Sequence, residues 1–264
     1  MKVGVYQFEP RFGEVKKNIE KVEKGLHPIK EALIVLPELF NTGYQFTSQE
    51  ELASLAEEIP GGLTTARLAD LARKNLLHIV AGITEREGDN FYNSAVLIGP
   101  YGYLAHYRKV HLFMEEKQWF TAGDKGWEVY DIGPAKIGLM ICFDWIFPEV
   151  ARTLALKEAE IICHPSNLLI PFLGQRAMIV RAIENMVYTI TCNRTGWEER
   201  GGKERLTFTG MSQVVNPRGE VLLTLKRDEE GVAMVGIDPA VARNKAFTSR
   251  NDLFQDRRAD LYNL

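Results

Sequence analysis

Lys136-Ile137-Gly138-Leu139-Met140-Ile141-Cys142-Phe143-Asp144-Trp145-Ile146-Phe147-Pro148-Glu149 reads as a buried strand that turns directly into a helix. The apolar run suits the interior of a sheet. Pro148-Glu149 then opens a helix through Ala155 and Leu156. Cys142 ends the run, at the corner between the two. A thiol lifted off a sheet at such a corner comes close to helix-end N–H groups, which favour a thiolate and a developing oxyanion alike. A strand feeding a helix is also the building unit of an α/β fold.

The same rhythm runs outward in both directions. Toward the N-terminus, Val3 to Phe8 is extended, Val15 to Leu26 is helical, and Ala32 to Leu36 is an apolar strand stopping at Pro37-Glu38. Helices are expected over Ser48 to Glu58 and Thr64 to Lys74, divided by Pro60-Gly61-Gly62. Leu77 to Thr84, Tyr92 to Ile98 and Tyr103 to Arg108 are separated by turn signals and read as antiparallel strands, so the sheets are expected to be mixed. Toward the C-terminus, strand Glu160–His164, helix Arg176–Val187 and strands Tyr188–Asn193, Phe208–Val215, Glu220–Leu225 and Val232–Ile237 follow. No internal repeat and no linker divides the chain, which predicts one α/β domain over 1–264. The polar tail 244–264 has little to bury by itself and is expected to be mobile or docked, with a partner subunit as one possible dock.

Composition narrows the functional classes. The chain has 264 residues, 45% hydrophobic and 25% charged, enough for an ordinary core without a staple. A net charge of −3 exerts no general pull toward nucleic acid or an anionic membrane. No apolar stretch approaches the roughly 18 residues that span a bilayer, and the N-terminus lacks a signal peptide's long apolar region. Cytoplasmic residence is therefore the expectation. Three cysteines (Cys142, Cys163, Cys192) are too few, and odd in number, for a disulfide framework. The five histidines are scattered without metal-ligand spacing, so no metal is expected.

Singly, the candidate residues are ambiguous. A cysteine in an apolar run is most often core, as Cys163 and Cys192 read. Glu38, after Ile34-Val35-Leu36-Pro37, is either a loop carboxylate or a partly buried base with a raised pKa. Lys109 is either half of a solvated basic pair with Arg108 or a fixed cation beside the thiol. Together they supply what amide or nitrile hydrolysis needs: a nucleophile, a base for its proton, and a positive group for the charge that forms. They come from three separate strand ends. A cysteine–histidine pair is the competitor, with His164 the best partner since it also ends a strand, although its loop can use it as a hydrogen-bonded corner.

Pro37-Glu38-Leu39-Phe40, Tyr107-Arg108-Lys109-Val110-His111-Leu112 and Ile141 to Glu149 resemble, in order, the three signature motifs of the nitrilase superfamily of carbon–nitrogen hydrolases. Tyr92-Asn93-Ser94-Ala95, His164-Pro165-Ser166-Asn167 and Arg181-Ala182-Ile183-Glu184-Asn185 are similar as well, and the likeness runs from Lys2 to about Asp256. The resemblance implies a four-layer α-β-β-α sandwich with mixed sheets, assembled as a homodimer or larger oligomer. It also implies a Glu–Lys–Cys triad that uses no cofactor. In this family's pattern Glu38 matches the general base, Lys109 the oxyanion-stabilising lysine and Cys142 the nucleophile, with the backbone N–H of Phe143 assisting. A second glutamate matches Glu116 better than Glu115, and would orient the lysine and the substrate nitrogen.

The specificity segments are mostly apolar. Phe113, Phe143, Trp145 and Asn167 are the candidate substrate contacts, and they read equally well as core or interface packing. As pocket lining they suit a small, uncharged amide. Amidase activity is the first expectation and nitrile hydrolysis through a thioimidate the second. An N-carbamoyl-amine substrate would need a carboxylate for its ammonium, with Asp144 and Glu149 nearest in sequence. A non-catalytic interaction module would not need glutamate, lysine and cysteine together.

Overall fold

The computed structural model describes residues 1–262. In the first half, β1 (Lys2–Gln7), α1 (Val15–Leu26), β2 (Ala32–Val35), α2 (Gln49–Leu55), α3 (Leu63–Asn75), β3 (His78–Glu87), β4 (Asn90–Gly99) and β5 (Gly102–Arg108) follow one another. The short helix α4 (Glu116–Trp119) leads into β6 (Val129–Asp131), β7 (Lys136–Leu139), α5 (Pro148–Leu156), β8 (Ile161–Ser166), α6 (Leu173–Asn185) and β9 (Tyr188–Asn193). The small hairpin β10 (Trp197–Glu198) and β11 (Leu206–Thr207) precedes β12 (Gln213–Val215), β13 (Val221–Thr224) and β14 (Gly231–Gly236).

Two six-stranded mixed sheets result, ordered β14-β1-β2-β3-β4-β5 and β13-β12-β9-β8-β7-β6. Strands β1, β2 and β3 are parallel, as are β7, β8 and β9, and the flanking strands pair antiparallel. The order β-α-β-α-β followed by two antiparallel strands thus occurs twice, although the sequence shows no repeat.

Alternation along the strands decides what each face covers. Val3 and Val5 on β1, with Leu33 and Val35 on β2, join a core that includes Leu139, Cys163, Ile190 and Cys192 of the other sheet. Their neighbours Tyr6, Ile34 and Leu36 point the other way, onto Ile19, Val22 and Leu26 of α1 and Leu68 and Leu71 of α3. On the far side, Val150, Leu154 and Met178 of α5 and α6 cover the second sheet. Strands buried on both faces read as continuous apolar runs, as observed here. The layers are therefore α-β-β-α. Gly138 lets α5 lie close, because a methyl there would meet the Leu154 side chain at 2.7 Å.

The structure moves several boundaries. Strand β7 stops at Leu139, and Cys142 opens a 3-10 turn, Cys142–Ile146, instead of closing the strand. Helix α2 ends at Leu55, since Glu57 leaves the helix to bond Thr84 O (3.0 Å) while its own carbonyl accepts from Arg86 N (2.8 Å). Helix α6 begins at Leu173, three residues before Arg176. The strand expected over Phe208–Val215 divides, because Gly210 and Met211 take positive φ of 53° and 57°. Parts of the tail contact the body of the chain. Lys245 donates to the carbonyls of Asn185 and Met186 (3.0 and 2.9 Å), and Phe254 sits beside Arg152 and Lys245. Residues 263 and 264 fall outside the described part.

Candidate active site

The segments that leave β2 and β5 in one sheet and β7 in the other carry the reactive side chains. Past β2 the chain keeps bonding to β3: Leu36 N donates to Val80 O, Gly82 N to Pro37 O and Phe40 N to Gly82 O, at 2.8, 3.1 and 2.9 Å. Glu38 sits in this turn, followed by Leu39 at φ +47°. Lys109 directly follows β5, its N–H donating to Asn93 O (2.8 Å) and its carbonyl accepting from Gly123 N (2.9 Å). Glu116 opens α4, where its Oε2 accepts from Phe113 N at 3.1 Å.

Cys142 is held from both sides. Asp144 Oδ2 accepts from Ile141 N (2.8 Å) and from Tyr107 O–H (2.9 Å), and Asp144 Oδ1 bonds His111 Nδ1 (2.8 Å). His111 in turn stacks on Phe147 with centroids 3.7 Å apart. This ties the Tyr107–Leu112 motif to the turn that bears the cysteine. On the other side His164 Nε2 lies 2.9 Å from Cys142 O. A carbonyl accepts only, so Nε2 carries the proton and Nδ1 accepts from Thr191 Oγ1 at 3.1 Å. Cys142 itself takes φ +40°, a conformation uncommon for a residue with a Cβ, and these contacts over-determine it.

Lys109 Nζ stands 2.7 Å from Glu38 Oε1 and 2.7 Å from Glu116 Oε1, and all three side chains are buried. Asn93 Nδ2 also donates to Glu38 Oε1 (2.7 Å), and Tyr44 O–H donates to Glu116 Oε1 (2.8 Å). Glu38 Oε1 thus takes two donors, while its buried Oε2 has no hydrogen-bond partner among the described residues. Burial works against the Lys109 ammonium, yet Glu116 and Glu38 outweigh it and raise its pKa. Burial pushes Glu116 up to about 7, with Lys109 opposing. Burial, then the charge of Glu38, lifts the Cys142 thiol well above the usual range, with Lys109 pulling it down. The thiol is therefore protonated at rest and needs a base. Burial pushes His164 down to about 4, so this histidine stays neutral and holds the backbone.

A cavity of about 80 Å³ opens onto Cys142, and Phe113, Phe143, Trp145 and Asn167 all line it. A neighbouring one of about 350 Å³, reached past Leu169, is lined by Tyr44, Glu116, Trp119 and Lys203. Glu38, Lys109 and Glu116 make one hydrogen-bonded cluster, and their charges act on the Cys142 thiol. Asp144 is fully engaged by Ile141, Tyr107 and His111, and Glu149 is exposed on α5, so neither faces the cavity. A larger space of about 610 Å³ under the C-terminal segment contains none of the cluster.

Sequence reasoning gave no role to Tyr44, Gly82 or Asn93. Asn93 was open to discovery, since Asn93-Ser94 interrupts an otherwise apolar strand and a buried amide requires a partner. Tyr44 had no such signal. It is placed by Glu198, whose carboxylate accepts from Tyr44 N and Gln45 N (3.0 and 2.6 Å) and pairs with the fully buried Arg194.

A buried thiol, an ammonium bridging two carboxylates and a four-layer sandwich together define a cysteine hydrolase of the nitrilase fold. The carbon-nitrogen hydrolase family model matches residues 2–247, and the chain belongs to that family. It is 49% identical to the nitrilase of Pyrococcus abyssi over 99% of both chains. It is 32% identical to an (R)-stereoselective amidase of a Pseudomonas species, over 98% of this chain and 92% of that one. Among solved structures it is similar to a variant amidase of Nesterenkonia sp. AN1 that carries the acetamide moiety of fluoroacetamide on its active-site cysteine. That likeness has TM-score 0.80 and 27% identity, covering 99% of this chain and 95% of the other.

Proposed function

We propose that the protein is an amidase for small, uncharged carboxamides, working through a Cys142 thioester. The observation that carries this reading is the bridging position of Lys109 between Glu38 and Glu116, with Glu38 Oε2 left free. Glu38 Oε2 takes the Cys142 proton as sulfur attacks the carboxamide carbon. The oxyanion forms against the Lys109 ammonium and the Phe143 N–H at the start of the 3-10 turn, where amide hydrogens lack an internal partner. Glu38 then passes its proton to the nitrogen, ammonia leaves, and a thioester remains. Water enters, Glu38 removes its proton, and attack on the thioester releases the acid and restores the thiol. Glu116 anchors Lys109 and accepts from the substrate N–H.

The lining residues Phe113, Phe143 and Trp145 favour an apolar acyl group of a few atoms. The acetamide moiety on the cysteine of the Nesterenkonia amidase variant, an alkylation that leaves the amide intact, supports a nucleophilic cysteine beside a site for small amides. Nitrile hydrolysis is the second reading, favoured by the 49% identity to the Pyrococcus nitrilase. The same triad would then form a thioimidate. Ammonia release from a panel of matched amides and nitriles separates the two, with Cys142→Ala as the blank. Release from nitriles alone would reverse the order.

Assembly as a cytoplasmic homodimer belongs to this reading. Leu173, Val180 and Ile183 are exposed and recur at helical spacing along α6, a surface suited to a second copy. A monomer by light scattering at micromolar concentration would remove it. No helix among the described residues is long and apolar enough to cross a membrane.

A further inference from the structure

The walls of the cavity at Cys142 are aromatic and aliphatic, with Phe113, Phe143, Trp145, Leu168 and Ile170 among them. Asn167 is the polar side chain in this lining, and no charged one joins it. It is 2% exposed, and neither its Oδ1 nor its Nδ2 has a hydrogen-bond partner among the described residues. Asn167 lines the same cavity as Cys142, and its backbone N–H favours the thiolate.

The chain around it is held as well. Leu168 N donates to Asn193 Oδ1 (2.8 Å), and Leu168 O accepts from Thr209 N (3.0 Å) and Thr209 Oγ1 (2.9 Å). A substrate that fills the cavity displaces water from it, and the buried amide then has to be completed by the ligand. A neutral completing group suits a lining that has no charged side chain. It has to be small, given the cavity, and able both to donate and to accept. A hydroxyl meets all three conditions.

We propose that Asn167 sets acyl specificity by hydrogen-bonding a hydroxyl on the acyl chain close to the scissile carbon, so that small hydroxy-amides are the preferred substrates. This rests on the amidase reading above. A site with a placed polar partner discriminates against an analogue lacking it far more sharply than an apolar pocket discriminates by size.

The test compares kcat/KM for glycolamide and propionamide, which differ by a hydroxyl in place of a methyl. The wild-type protein is expected to favour glycolamide by about tenfold or more. Asn167→Leu is expected to bring that ratio to about one, whatever its effect on the absolute rates. A wild-type ratio near one overturns the inference while leaving the amidase reading in place. So does a variant that slows both substrates equally, for Asn167 would then serve the scissile amide common to both. Release of ammonia from neither amide removes the amidase reading and this inference with it. The wild-type comparison stands even where the variant fails to fold.

Discussion

Gly82 lies directly beneath Glu38. A methyl group on Gly82 would come 2.4 Å from the Glu38 Cα and 2.8 Å from the Leu39 backbone nitrogen, closer than non-bonded carbon atoms approach. The obstacle is backbone, which cannot swing aside as a flexible side chain would. Strand β3 and the Glu38 turn are further laced by the two hydrogen bonds of Gly82. Gly82 thus sets the height of the general base above the sheet.

Gly82→Ala should displace Glu38 from Lys109 and lower kcat by about tenfold or more, since an ångström of misplacement is costly in catalysis. Stability should fall by about 1–3 kcal/mol, the usual cost of overpacking. Turnover and thermal unfolding of the purified variant check this. Wild-type kcat with normal stability would mean that the Glu38 turn moves without consequence.

Lys109→Ala removes both the oxyanion cation and the one positive charge between two buried carboxylates. Loss of the first should cost about a hundredfold in turnover. Loss of the second should cost about 3–5 kcal/mol of stability. The sign of its pH dependence follows from linkage. Without Lys109, burial acts on Glu116 with its main opposing charge gone, so the native chain binds more protons than the unfolded one. The stability deficit should therefore be smaller at acid pH than at alkaline pH. Denaturant unfolding at the two extremes reads this directly, and near-normal kinetics would take Lys109 out of the mechanism.

What the sequence made legible was local. Ile137 to Ile141, Pro148 at the helix start and the alternation in β1 and β2 each carry their meaning within a few residues, and the layers follow from them. Glu38, Lys109 and Cys142 were legible because each ends a strand-like run, and Glu116 only through the family resemblance. Their supporting contacts were not. Asn93 meets Glu38 across 55 residues, and Tyr44 meets Glu116 across 72. Such pairs exist only once β4 lies two strands from β2 and the Tyr44 loop is clamped by Arg194 and Glu198. The extent of β7 was misjudged for a related reason. The apolar run continues to Ile141, but Asp144 captures the Ile141 N–H and winds the chain into a turn.

Glu116 gives the site a neutral-range titration. Burial lifts it to about 7, and as an anion it accepts from Lys109, Tyr44 and Phe113. The anion is the form that anchors the lysine, so kcat/KM should fall as pH drops through about 7. Glu116→Gln should lose that acid limb. The same group sets a stability slope. Between its ordinary value of 4.5 and about 7 the folded chain binds the extra proton, so Glu116 makes the fold less stable as pH rises across that window. Melting temperature against pH should flatten there in the variant. A persistent acid limb near pH 7 in Glu116→Gln would assign the titration elsewhere in the cluster.

His164 offers the reverse slope. It is fully buried and neutral, with Nε2–H on the Cys142 carbonyl and Nδ1 on Thr191. Burial pushes its pKa from 6.5 down to about 4, so across that window the unfolded chain binds the extra proton. The stability it contributes is complete above pH 6.5 and is lost as pH falls toward 4. His164→Leu should remove that slope. It also orphans the Cys142 carbonyl, at a cost of about 1–3 kcal/mol. Because the nucleophile's positive-φ backbone then loses a tether, kcat should fall by about tenfold, with little change in KM. A base paired with the thiol would behave differently, since its loss would abolish turnover outright and shift the pH profile of kcat. Turnover in His164→Leu at about a tenth of wild type, with an unchanged profile, is the outcome that assigns it to holding Cys142 in place.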